Sequence, residues 1–252
     1  MEEGCAIGYL RERLARLPAF LDELLFPERV RCLCCSAAIG EDVQDGICPD
    51  CHAALEEMTA RMEALNAPRE TPLPPGIDYV SAAFPYEEQA RRLIWRLKFD
   101  RVRIAAEPLA RAMSRLPGGE EELIVPVPTT KRRLADRGFN HAALIAHHLG
   151  EALGMPVVEA LSREDDHGAQ FRLSAGARAK NLVGCMSADG RVRGRRVLLV
   201  DDVYTTGSTA MEAARALGEA GAAGVGVFVA ARTQARTARK RAKTGARTRR
   251  LG

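Results

Sequence analysis

Two groups of residues in this chain have types and spacings suited to chemistry. The first is VLLVDDVYTTGST, Val197 to Thr209, where an aliphatic run meets Asp201 and Asp202 and then small hydroxyl residues. A strand holding Val197, Leu198, Leu199 and Val200 reads as buried, so an acid pair at its carboxyl end needs something to hold. The following TTGSTAMEAARALGEAG opens a helix, with Thr209 and Glu212 spaced as a capping box and Gly221 placed to end it. Thr205, Thr206, Gly207, Ser208 and Thr209 then form a loop of backbone N–H groups and hydroxyls at a helix N-terminus. Such a loop is an anion cradle that suits a phosphate monoester. Carboxylates beside it suit hydroxyl groups and, directly or through water, Mg²⁺. A ligand with a phosphate, vicinal hydroxyls and a metal-bound diphosphate satisfies the whole set.

The second group is Cys32-x2-Cys35, twelve residues, then Cys48-x2-Cys51. Two C-x-x-C pairs place four thiolates where two tight turns can close a tetrahedral site around structural Zn²⁺. Disulfides and redox pairs are the alternatives, and no export signal favours the former. Cys34 competes with Cys32 but is worse spaced against Cys35, and His52 could replace one ligand. Cys5 and Cys185 read as structural or incidental. With all four positions filled by protein, the zinc would do no catalysis; it would help a small module to fold.

Other motifs are excluded. No G-x-x-x-x-G-K-[ST] loop occurs, and GEAGAAGVG follows a helix and precedes a strand, which makes it turn chemistry. No apolar run approaches the roughly 18 residues that cross a bilayer. The arginine-containing N-terminus is unlike a secretory signal, so the expected location is cytoplasmic. The net charge of +4 hides an asymmetry, because residues 232–252 contain nine Lys/Arg and no Asp/Glu. Without them 28 basic residues face 33 acidic ones. The tail reads as a disordered solubilising extension, or as a salt-sensitive contact with nucleic-acid phosphates; it lacks aromatics for base stacking.

The elements that position these groups follow from periodicity. Leu10, Leu14, Leu17, Leu21, Leu24 and Leu25 mark an amphipathic helix over 7–26, and a further helix ends at Leu65. The Pro-rich stretch 66–78 reads as a linker. The expected organisation is a helix and zinc-ribbon module over 1–65, the linker, an α/β domain over 79–231 and the basic tail. In the α/β domain, strands are expected at 79–84, 123–128, 157–161, 196–200 and 226–231. Helices are expected at 87–99, 140–154 and through IAAEPLARAMSRL. Strand–helix alternation with near-continuous Val/Leu/Ile strands implies a parallel sheet covered on both faces. There is no internal repeat.

VLLVDDVYTTGST resembles the phosphoribosyl-diphosphate (PRPP) motif of type I phosphoribosyltransferases. With LLFPERVRCLCC, ICPDC, LIWRLKF, IVPVPTTKRRLADRGFN and QFRLSAGARAKN in the same order, the chain resembles the ComF/GntX family from about Leu10 to Arg232. That family joins a zinc ribbon to a type I phosphoribosyltransferase fold. The resemblance implies that Asp201 and Asp202 face the ribose hydroxyls and Mg²⁺, and that Thr205–Thr209 hold the 5′-phosphate. It makes Lys131, Arg132, Arg133 and Arg137 candidate diphosphate ligands, with Arg137 of RGFN favoured and counted with the two aspartates as catalytic. Arg163, Gln170, Arg178, Lys180 and Asn181 fall in a segment resembling a mobile active-site loop. His141, His147 and His148 read as helix-surface or core-edge residues.

The implied chemistry is loss of diphosphate from C1 of PRPP as an acceptor attacks, with cations on the leaving group. Thr205 stands where 6-oxopurine enzymes of this superfamily carry an aspartate, which disfavours hypoxanthine or guanine as acceptor. No other stretch discloses an acceptor. The alternative is a PRPP-sensing or single-stranded-DNA-handling accessory factor in natural transformation, with competence machinery and a helicase-like partner implied by the resemblance.

Overall fold

The computed structural model describes residues 31–40, 43–66, 73–163 and 184–233. The expected helix over 7–26, Cys5, Gln170, Arg178, Lys180, Asn181 and the tail from residue 234 lie outside these residues. The same holds for 67–72 of the expected linker.

Helix α1 (Pro49–Asn66) precedes strand β1 (Tyr79–Pro85), helix α2 (Glu88–Trp95) and a π-helical turn at Arg96–Asp100. Helix α3 (Ala106–Met113), β2 (Leu123–Pro126), α4 (Lys131–Arg137), α5 (His141–Leu153) and β3 (Leu161–Arg163) follow. The remaining elements are β4 (Met186–Ala188), β5 (Arg196–Tyr204), α6 (Ser208–Glu219) and β6 (Gly224–Arg232). The main sheet has the order β1-β6-β5-β2, parallel throughout, as the strand–helix alternation implies. β3 and β4 pair antiparallel in a small second sheet.

Strand β5 explains how the sheet is covered. Its side chains alternate between faces, and both faces are apolar. Leu198 and Val200 enter a core with Leu93, Leu97, Leu109, Ile145 and Leu149, from α2, the π turn, α3 and α5. Val197 and Leu199 enter a second core with Ala213 and Leu217 of α6. The helices present apolar stripes at the required three- and four-residue spacing, for example Ala142, Ile145, Ala146 and Leu149 on α5.

Three expectations are corrected. Strand β5 does not stop at Val200; it carries the acid pair inside its length, as far as Tyr204. Residues 157–161 do not form a strand: Val157 makes a single parallel bridge to Ile124, and regular pairing starts at Leu161. The capping box at Thr209 is not formed, because α6 starts two residues earlier, with Gly207 at the N-cap, and Glu212 is buried in another role. Its carboxylate accepts from Met186 N at 3.1 Å and pairs with Arg215 at 2.8 Å, tying α6 to β4. Gly221, at φ +91°, does close the helix, where any side chain would be strained.

The cysteine segment is not an isolated module. Cys32, Leu33, Cys34 and Cys51 share the first core with Phe84 and Ala90 of the sheet domain. Helix α1 also lies along β1, an outer strand whose free edge would leave peptide groups unpaired. Asn66, the last residue of α1, satisfies one pair of them: its side chain accepts from Ala82 N at 3.1 Å and donates to Ala82 O at 2.8 Å. Replacing Asn66 by Ala should therefore cost about 1–3 kcal/mol, as expected for orphaned buried groups. Chemical denaturation should show this as a lower midpoint with unchanged slope.

Candidate functional site

The acid pair sits where β5 emerges between its two layers of helices. Asp202 continues the Leu198–Val200 face and is 3% exposed. Two basic side chains meet it there: Lys98 Nζ donates to Oδ1 at 2.6 Å, and His141 Nε2 lies 2.5 Å from Oδ2. Asp201 is partly buried, and its Oδ1 accepts from Asp202 N at 2.8 Å. Burial raises the Asp202 carboxyl, but His141 and Lys98 outweigh it and hold the group well below the usual carboxylate range. Asp201 goes the other way: burial first, then the charge of Asp202, pushes its carboxyl up.

Local backbone features deliver these partners. The π turn Arg96–Asp100 packs one extra residue into the end of α2 and turns Lys98 to β5. His141 is the first residue of α5, fixed by Asn140, which accepts from Ala142 N at 3.1 Å and donates to Val127 O at 3.0 Å. Arg137 completes the group, its Nη1 lying 3.3 Å from His141 Nδ1. A guanidinium only donates, so Nδ1 accepts and the proton of neutral His141 sits on Nε2, facing Asp202. Although His141 touches Asp202 Oδ2, that buried oxygen has no aligned hydrogen-bond donor.

The hydroxyl loop follows directly. Gly207 is buried at φ +79°, and a Cβ there would collide with the Tyr204 hydroxyl, so only glycine fits. Thr205 and Thr206 are exposed, while Ser208 and Thr209 at the start of α6 are half-buried. Thr206 Oγ1 lies 2.8 Å from Ser208 Oγ. The hydroxyls thus cluster around a helix N-terminus whose first N–H groups have no intrahelical partner. Beside the neighbouring strand, a cleft of about 440 Å³ is lined by Pro128, Thr129, Phe139, Asn140, His147 and Arg163 among others.

Of the four basic candidates after β2, only Arg137 is brought to the acid pair. Lys131, Arg132 and Arg133 are exposed on α4, a helix that buries none of its side chains. Arg163 at the end of β3 acts on Asp201 through its charge. Sequence reasoning gave no role to Lys98 and set His141 aside. No spacing signals Lys98, which meets Asp202 from 104 positions away. For His141 the signal was its place directly after the RGFN segment.

One carboxylate oxygen each from Asp201 and Asp202 and a ring nitrogen of His141 lie within 4.8 Å of one another. The unmatched Asp202 oxygen and the hard oxygen donors fit Mg²⁺ or a sugar hydroxyl.

The cysteine site is built for a soft metal. The four Sγ atoms of Cys32, Cys35, Cys48 and Cys51 lie within 4.8 Å of one another. Cys35 Sγ and Cys48 Sγ are 3.7 Å apart, close to the edge of about 3.8 Å in a tetrahedron with Zn–S arms of about 2.3 Å. Backbone N–H groups of Cys34, Cys35 and Cys48 donate to Cys32 Sγ at 3.4, 3.5 and 3.3 Å. Against the opposing effect of burial, these donors lower the Cys32 thiol to about 6, which favours the thiolate that zinc needs. Burial pushes Cys34 up to about 12, so it stays a thiol outside the set.

Two outcomes follow from this geometry. Purified protein should carry one zinc per chain, and Cys35→Ser or Cys48→Ser should lose the metal and unfold several degrees lower. Elemental analysis and a thermal melt read both. For Asp201, a raised carboxyl means that ionisation opposes folding. The penalty is absent below the ordinary Asp value of about 3.9 and grows as pH rises through the raised value. Asp201→Asn should therefore raise the melting temperature at pH 8 by roughly 2–4 °C and change little at pH 4.

The phosphoribosyl transferase domain family matches residues 134–246. The DNA utilization protein YhgH of Salmonella typhimurium is 32% identical over 211 residues, covering 80% of this chain and 90% of that protein. The competence protein ComFC of Bacillus subtilis is 28% identical over 160 residues, covering 60% of this chain and 63% of that protein. Among solved structures, the glutamine PRPP amidotransferase of B. subtilis aligns over 49% of this chain and 25% of its own, at 25% identity and a TM-score of 0.37. The parallel sheet, the cysteine cluster and the near-full-length likeness to YhgH agree: the chain belongs to the ComF/GntX family, which joins a four-cysteine ribbon to a type I phosphoribosyltransferase domain.

Proposed function

We propose that the protein binds PRPP with Mg²⁺ at the end of β5 and transfers the phosphoribosyl group to an acceptor, in a process linked to DNA uptake or utilisation. One observation carries this reading: the acid pair and the hydroxyl loop are two ends of one strand–loop–helix unit, β5 to α6. The 5′-phosphate suits the N–H groups and hydroxyls of Thr205–Thr209. The ribose hydroxyls suit Asp201 and Asp202, whose charge also favours the positive charge that develops on the ring as diphosphate leaves. Arg137 is the protein cation nearest the acid pair from the α4 side and would meet the departing diphosphate, with Lys131 and Arg133 at longer range on α4. Bound Mg²⁺ would neutralise charge on that leaving group. The cleft lined by Phe139, Asn140 and His147 offers an acceptor room beside the loop after β2.

A second reading is favoured by a specific observation. Lys98 and His141 both engage Asp202, so groups of the protein itself face the carboxylate that a ligand would meet. Such a site can report PRPP occupancy without turnover, as a sensing or single-stranded-DNA-handling factor would. The names of the relatives, a DNA utilization protein and competence proteins, support a link to DNA under either reading. Among the described residues no helix is long and apolar enough to cross a membrane.

Calorimetric titration of PRPP with Mg²⁺ tests the shared part. Wild type should bind; Asp201→Asn/Asp202→Asn should weaken binding on the order of 100-fold, and Arg137→Ala on the order of 10-fold. An unchanged affinity in the double variant removes the clamp from this edge. Diphosphate release with a panel of acceptors then separates turnover from sensing, and release with hypoxanthine or guanine would overturn the reading of Thr205.

A further inference from the structure

Helix α2 and the π turn bury one face and leave an unusual one outside. Ala90, Leu93, Ile94 and Leu97 face the core, as an amphipathic helix should. The opposite side carries Trp95, 54% exposed, and Phe99, 53% exposed. One exposed aromatic needs no explanation, but these two are in contact, with ring centroids 4.3 Å apart and planes tilted by 39°. The guanidinium of Arg137 lies 5.2 Å from the Phe99 centroid, so Arg137, Phe99 and Trp95 form a short ladder. Its inner end reaches the acid pair through His141; its outer end is the indole of Trp95.

Charge surrounds this ladder with one sign. From Gln89 to Arg101 the chain holds Arg91, Arg92, Arg96, Lys98 and Arg101 against Asp100 alone. Arg91 and Arg92 are exposed, one turn before Trp95, and neither is ion-paired with a carboxylate among the described residues. An apolar peptide or a second sheet would gain nothing from these guanidiniums. A duplex keeps its base faces stacked inside and cannot offer them to an indole. A single strand has both things the stripe asks for, unpaired π faces and a phosphate backbone.

We propose that Arg91, Arg92, Trp95, Phe99 and Arg137 form a stacking platform for unpaired bases of a single-stranded nucleic acid. The platform leads from α2 to the acid pair. It rests on the DNA-linked half of the proposed function and gives that half a place on the molecule. The basic tail without aromatics is then an accessory electrostatic contact at most.

Trp95 is the chain's one tryptophan, so its emission reports on the platform alone. Titrating the full-length, zinc-loaded protein with oligodeoxythymidylate should quench that emission, with half-saturation moving to higher strand concentration as salt rises. A duplex of the same length should quench far less. Polarisation of a labelled strand should show binding weakened on the order of 10-fold or more in Trp95→Ala/Phe99→Ala. PRPP titration of the single variant Trp95→Ala, which leaves the Phe99–Arg137 contact in place, should match wild type and show an intact fold and clamp. Strand binding that survives the double substitution, or leaves Trp95 emission unchanged, overturns the platform while sparing the DNA link. Blue-shifted Trp95 emission that ignores the strand means another segment of the chain covers the patch, and also overturns it. If wild type binds no strand even at low salt, the DNA-binding reading falls with the platform, and PRPP binding stands or falls separately.

Discussion

Two neighbouring carboxylates withdrawn from water cannot both hold a negative charge unless cations are set against them. Much of what surrounds Asp201 and Asp202 answers that constraint. Lys98 arrives from a π turn, His141 from the first position of a helix, and Arg137 stands behind His141 and fixes its tautomer. The charge is then divided unequally, with Asp202 held down and Asp201 pushed up. A strand that merely ended in solvent would need none of this. A ligand that reaches Asp202 must therefore share or displace the Lys98 and His141 contacts.

The same segment connects the site to the cysteine cluster. Arg96, in the π turn that carries Lys98, donates to Ser36 Oγ at 2.5 Å, and Ser36 follows Cys35 directly. The four-cysteine turn and the end of α2 therefore brace each other, within one continuous apolar core. This differs from a metal module on a tether. The cysteine turn helps to hold the backbone from which Lys98 reaches the acid pair.

Much of this was legible from sequence, because it depends on local periodicity. The strand VLLV, the loop after it and the helix with Gly221 at its end are contiguous in the chain, and the C-x-x-C pairs fix their own turns. What was not legible depends on long-range geometry or on one-residue choices of register. Lys98 gains its role from a π turn that no pattern of apolar residues announces. Glu212 has the spacing of a capping residue, yet the pull of Arg215 and Met186 N is stronger than a cap. The stretch Val157–Leu161 has the composition of a strand, but its pairing with β2 is confined to residues 156–158 around Ile124, before the chain turns away to pair with β4 from Leu161. Four cations on one short segment made four candidates with Arg137 favoured, and the exposed seven-residue helix brings that last residue to the acid pair.

Asn66 carries a consequence beyond fold stability. An open parallel sheet has two outer strands, and an outer strand is a template on which a second chain can add itself. At β1 the amide of Asn66 imitates a single residue of that missing strand, occupying both the donor and the acceptor of Ala82. One side chain thus closes the register at the middle of the edge, where an incoming chain would begin to zip. Helix α1 therefore does more than join the cysteine turn to the sheet. A strand from another molecule could zip onto the middle of this edge only after displacing the Asn66 amide, so a contact that stabilises the fold also stands against edge-to-edge association.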